Sequence, residues 1–233
     1  MESRALVKDV MEINRRLFYD LWNISAVPEA PTGLSPRLIL PTRRSEDIRI
    51  SEQEARFLYC SLLNNLNYFY SVETPTERRF IQKGKIPRSA SSDLSLYDYD
   101  GKKFLKLMNV EFKAHTPREQ DIKKDIEKLI AEKKDGNWFH LLKNIQSGTL
   151  RRNFEKISNS LKSCQRMLKV KKVSIVFSFC VLERKWACSK HFLYEPSVGS
   201  FSEYADRFFF NLKLDVKRRS IKVVDDAGWQ IIC

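Results

Sequence analysis

Histidine is scarce in this chain, and cysteine gives no usable pattern. The three histidines, His115, His140 and His191, are scattered, and no two stand at a metal-ligand spacing. The five cysteines, Cys60, Cys164, Cys180, Cys188 and Cys233, are odd in number and contain no C-x2-C step. Neither a zinc site nor a disulfide framework is indicated, and most of the cysteines read as small core hydrophobes. No run of about 18 apolar residues is present, which argues against a membrane-spanning helix. The stretch MESRALVKDV lacks a charged-then-apolar leader with a small-residue cleavage site, so the expected compartment is the cytoplasm. Internal repeats and low-complexity tracts are also missing.

What is present is basic charge over a real core. With 42 Lys plus Arg against 29 Asp plus Glu, the net charge of +13 favours phosphate-rich or other polyanionic partners. A hydrophobic content of 42% with 15 Phe rules out a disordered polycation. A length of 233 residues accommodates one sizeable domain with an appendage.

Leu6, Val10, Ile13, Leu17 and Leu21 recur at steps of three and four, predicting a helix with one apolar face. Pro28, Pro31, Pro36 and Pro41 then mark an extended strap. Residues 1–23 are therefore expected to form a separable helical arm, whose stripe can clasp the same chain, a protein partner or a second copy in a homodimer, and 24–50 a proline-rich linker. A second helix begins at SEQEARFLYCSLLNNL, where Ser51 and Glu54 fit a capping box. YFYSVETPT reads as a short aromatic strand, and SSDLSLYDYDGKKFLKLMNVEFKA as two strands joined near Asp100-Gly101. Residues 118–133 return to helical period. Residues 138–168 also read as helical, broken near Gly148 and carrying Lys143, Arg151, Arg152, Lys156 and Lys162. VSIVFSFCVL reads as a central strand covered on both sides. From Phe208 onward, alternation into SIKVV predicts a C-terminal β-hairpin at a sheet edge.

The chemistry sits in NVEFKAH. Residues two apart in a strand share a face, so Glu111 and Lys113 point one way while Val110 and Phe112 point into the core. Asp93 takes the face opposite Leu94 and Leu96 on the preceding strand. A two-residue turn at Asp100-Gly101 would set Asp93 opposite Met108, facing away from Glu111. A loop over 99–103 instead pairs Asp93 with Asn109 and leaves Glu111 a same-face neighbour at roughly 7–8 Å. A single bulge would restore the same facing. Two carboxylates and a lysine so placed suit a hard divalent cation, which takes few protein carboxylates and leaves room for water and phosphate.

Asp93, then seventeen residues, then Glu111-Phe112-Lys113, between a preceding and a following helix, resembles the PD-(D/E)XK nuclease superfamily. That family's core runs helix, three strands, helix, strand, and the resemblance covers roughly residues 51–182. It implies an α/β, restriction-endonuclease-like fold, with a mixed central sheet flanked by helices, within a domain spanning 51–233. It further implies that Asp93 and Glu111 hold Mg2+, with Mn2+ able to substitute, and that Lys113 is the catalytic lysine. Ser92 replaces the family's proline, at a position the family varies freely. The implied activity is cleavage of phosphodiester bonds in DNA, in a setting such as defence or mobile elements. Two alternatives stay open: a ribonuclease on the same scaffold, and a non-catalytic nucleic-acid-binding or complex-assembly subunit.

A further acid often completes such sites, and Glu54 and Glu73 are the candidates. Glu54 is also half of the capping box, and Glu73 sits at an expected strand end. For nucleic-acid contact the candidates are His115, Lys124, Arg151 and Arg152. Lys124 and Lys128 share one helical segment that could point both toward the cleft, although alternating charge there favours a solvated face. Trp138 and Phe139 read as packing.

Overall fold

Apolar residues at steps of three and four build helix α1 (Glu2–Ile24) in the computed structural model, which describes residues 2–24, 38–40, 48–80, 88–146, 148–167, 170, 172–197, 199–217 and 220–233. The four strap prolines lie outside those residues. Next in order come α2 (Glu52–Leu63), β1 (Phe69–Phe80), β2 (Arg88–Tyr99), β3 (Phe104–Ala114) and α3 (Glu119–Ala131). They are followed by β4 (Asp135–Leu142), α4 (Thr149–Met167), β5 (Val173–Val181), β6 (Trp186–Tyr194) and α5 (Phe201–Phe210). The chain closes with β7 (Lys213–Val216), β8 (Ile221–Asp225) and β9 (Gln230–Ile232).

The architecture is α/β with a mixed seven-stranded sheet in the order β1-β2-β3-β4-β5-β6-β9. Strands β1 to β3 form an antiparallel meander, β3, β4 and β5 run parallel, and β6 and β9 return antiparallel. Helices α1 and α2 cover one face, and α3, α4 and α5 the other. Among the described residues no helix is long and apolar enough to cross a membrane.

Three expectations change. The stretch 138–142, read as the start of a helix, belongs to β4. It is buried on both faces, so it shows no alternation by which a strand can be recognised. Its Gly136 lies under α3, where a Cβ would come within 3.3 Å of Leu129. Phe208 and Phe210 belong to α5 rather than to a strand, because Phe201, Ala205, Phe208 and Phe209 form a buried helical stripe. The hairpin β7–β8 exists, but as its own two-stranded sheet, and β9 is what extends the main sheet beyond β6.

Helix α1 is not a separable arm. Its apolar stripe is buried against the sheet and α2, and Asn14 within that stripe is fully buried. Asn14 donates to Asn137 Oδ1 on β4 at 2.9 Å and to Ser178 Oγ on β5 at 2.8 Å, and Ser178 pairs with Ser189 on β6. A buried amide satisfied by strands of the main sheet fixes the helix in one register. Periodicity revealed the stripe but not what covers it.

Candidate metal and phosphate site

The site begins with a register. Leu94 pairs with Val110 and Ser95 with Asn109, so the next step places Asp93 opposite Glu111. The loop 100–103 closes with Tyr99 opposite Phe104, and a shift between Leu96 and Tyr97 supplies the bulge that brings both carboxylates to one face. Without that extra residue on β3, Asp93 would face Val110. Asp93 Oδ2 accepts from the Phe112 backbone N–H at 2.7 Å, which ties the aspartate to the middle of the Glu111-Phe112-Lys113 step.

Helix α3 completes the cluster with residues the sequence reading did not choose. Lys128 Nζ lies 2.7 Å from Glu111 Oε2, 2.8 Å from Asp125 Oδ1 and 2.8 Å from the Ser91 carbonyl oxygen. Lys113 Nζ lies 2.7 Å from Asp125 Oδ2 and 3.8 Å from Glu52 Oε2 on α2. The signal for this was present as a second stripe on α3: Asp121, Asp125, Lys128 and Glu132 follow at steps of four, three and four, beside the apolar Ile122, Ile126 and Leu129. The exposed candidate was Lys124, whereas Lys128 is 3% exposed.

Other candidates lie elsewhere. Glu54 accepts from the Ser51 N–H at 2.8 Å and the Ser51 hydroxyl at 2.6 Å, closing the capping box of α2, so its acid neighbour toward Lys113 is Glu52. Glu73 stands within β1, not at its end, in the register position facing Asp93. Its left-handed backbone (φ 49°) sends the exposed carboxylate to Arg56 instead. His115 follows the strand with φ 60°, and its Nε2 lies 2.9 Å from the Ile50 carbonyl oxygen. It lines an open cavity of about 600 Å³ with Arg49, Glu52 and Lys143, beside the cluster. Arg151 pairs with Glu155 and lines a separate cavity with Phe154 and Phe209, and Arg152 is exposed on the first turns of α4. Trp138 and Phe139 are fully buried packing residues.

Burial raises the carboxyl groups of Asp93, Glu111 and Glu52 above their usual range. For Asp93 the Phe112 N–H opposes the rise, and for Glu111 the Lys128 ammonium does so. Burial acts against the Lys113 and Lys128 ammonium groups, but the surrounding carboxylates outweigh it, and both are raised. Both lysines are therefore cations at neutral pH. Four acids surround the two lysines, and among the described residues fully buried Glu111 Oε1 has no hydrogen-bond partner.

That donor set fits a hard divalent ion: acids that outnumber the lysines, one carboxyl oxygen unpartnered among the described residues, around a spot that already accepts a cation. Among the described residues no group of three or more His, Cys, Asp or Glu is gathered as a metal cluster. No family model, no curated protein and no solved structure matches the chain.

Proposed function

We propose that the chain is a Mg2+-dependent endonuclease of the PD-(D/E)XK type that hydrolyses phosphodiester bonds in DNA. The observation that carries this reading is the placement of Asp93, Glu111 and Lys113 on one face of β2 and β3, with Asp93 bonded to the backbone between the other two. The order helix, three-stranded meander, helix, parallel strand from α2 to β4 supports it.

In this reading Asp93 and Glu111 hold the ion. When bound, it lowers the pKa of a water and neutralises charge developing on the phosphate. Lys113, kept protonated and aimed by Asp125, orients the attacking water or a phosphate oxygen. Helix α3 packs over the face to which Glu111 and Lys113 point, touching them through Asp125 and Lys128. A second reading, a non-catalytic nucleic-acid-binding subunit on the same scaffold, draws on the ion pairs by which Lys113 and Lys128 already neutralise part of the cluster. The choice of DNA over RNA rests on the resemblance alone, and single-stranded RNA is the natural comparison substrate.

Nicking of supercoiled plasmid with Mg2+ tests the reading. Asp93→Ala, Glu111→Ala and Lys113→Ala should each lower the rate by about 10²–10³-fold or more. Glu54→Ala should lose about 1 kcal/mol of stability through its cap and cleave normally where folded. Equal nicking by wild type and Glu111→Ala would hand the chain to the second reading.

A further inference from the structure

The Lys128 ammonium has three protons and meets three oxygens, Ser91 O, Glu111 Oε2 and Asp125 Oδ1, all at 2.7–2.8 Å. The cage contains two carboxylates and a main-chain carbonyl, the oxygen donors that hard divalent ions take from proteins. It is closed off from solvent, with Glu111 fully buried and its second oxygen unpartnered among the described residues.

Helix α3 holds the lysine at this point. Leu129, the next residue, packs onto Gly136 of β4, and Ile126 and Ile130 anchor the same helix in the core. The backbone carrying Lys128 therefore cannot drift from Glu111. Only rotation of the four-carbon stem would remove the ammonium. An ammonium holds its oxygens near 2.8 Å, whereas Mg2+ requires about 2.1 Å, so the two cations cannot share the cage.

We infer that Lys128 is a tethered counter-cation occupying the oxygen cage of Ser91, Glu111 and Asp125, and that a divalent ion enters that cage only by displacing it. Lys128 thereby sets the metal concentration at which the site loads. The inference rests on the metal-site reading above, but not on cleavage.

The test is Mn2+ binding to the full chain, measured by the electron paramagnetic resonance of free Mn2+. Lys128→Met should bind at least about tenfold more tightly than wild type. It should also bind more tightly than Lys113→Met, which removes the same charge while leaving the cage filled. Adding Glu111→Gln to Lys128→Met should abolish the gain. Affinity in Lys128→Met no greater than in Lys113→Met would overturn the inference. Should Lys128→Met fail to fold, the side-chain 15N resonance of Lys128 in wild type decides. Millimolar Mg2+ should move it from a protected, hydrogen-bonded ammonium to a solvent-exchanging one, and an unchanged resonance overturns displacement. Tight Mn2+ binding by Lys128→Met without nicking by either chain would leave the cage standing and remove the nuclease reading. Nicking by wild type with equal Mn2+ affinities would do the reverse.

Discussion

Removing the Lys128 ammonium leaves fully buried Glu111 without its counter-charge, so its already raised carboxyl either takes up a proton or stays ionised at a cost. Lys128→Met alone should therefore destabilise the chain by about 3–5 kcal/mol in urea unfolding without metal, and Glu111→Gln with Lys128→Met by clearly less. Additive losses in that cycle would mean that the two side chains do not interact as their 2.7 Å separation implies. A second titratable residue on the same sheet face gives a pH prediction. His140 is fully buried, and its Nε2 donates to the His115 carbonyl at 2.7 Å, which fixes the neutral tautomer and the left-handed turn after Lys113. Burial lowers its pKa to about 4, below the ordinary 6.5. Between these values the unfolded chain binds the proton and the folded chain does not, so stability falls as pH drops through that window, by about 3 kcal/mol in total. The raised carboxyl groups of Asp93 and Glu111 act with the opposite sign, because their folded forms bind protons that the unfolded chain has released. The measurable quantity is therefore the difference between wild type and His140→Gln, whose amide can still donate to His115. The variant should lack the histidine's share of the acid loss, and parallel pH curves would show that His140 does not titrate as described.

Among the elements, α1 separates a packed helix from an accessory arm. Leu17 is fully buried between the sheet and α2, so Leu17→Ala should cost about 2–5 kcal/mol in urea unfolding of the whole chain. An arm folding apart from the sheet would leave the main transition in place. The sequence showed this helix and its apolar face but not its destination, since a stripe at steps of three and four is the same whether the core or a partner covers it. The facing of Asp93, Glu111 and Lys113 was legible for a different reason. Strand alternation has a period of two, and the only free variable was whether a bulge or a loop set the register. Asp125 and Lys128 escaped because a charged residue beside an apolar helical stripe looks like a solvated flank until the neighbouring strand is known to carry a carboxylate. Strand β4 escaped because double-sided burial erases alternation. The Ser51–Glu54 spacing, by contrast, specified its cap from local geometry alone, and that bond removes Glu54 from the site.

At the scale of the whole molecule, an acidic cluster lies within a strongly basic chain, and the two should act separately on a polyanion. The cluster's excess of carboxylates repels phosphate, whereas the surplus of 42 Lys and Arg over 29 Asp and Glu attracts it. Binding to duplex DNA should therefore come from basic residues outside the carboxylate cluster and survive chelation by EDTA. It should weaken with salt, with a slope of about 0.9 in log affinity against log salt for each phosphate contact. Arg151, Arg152 and Lys124 are exposed and available for such contacts, so charge removal there should lower both affinity and slope. Asp93→Ala and Glu111→Ala should leave affinity unchanged or slightly increased, because each removes a negative charge near the phosphate path. Fluorescence anisotropy on a labelled duplex across a salt series, with EDTA throughout, measures all of these together. Salt-independent binding would assign the basic surplus to solubility, and weaker binding by Glu111→Ala without metal would mean that Glu111 supports the DNA-binding surface structurally.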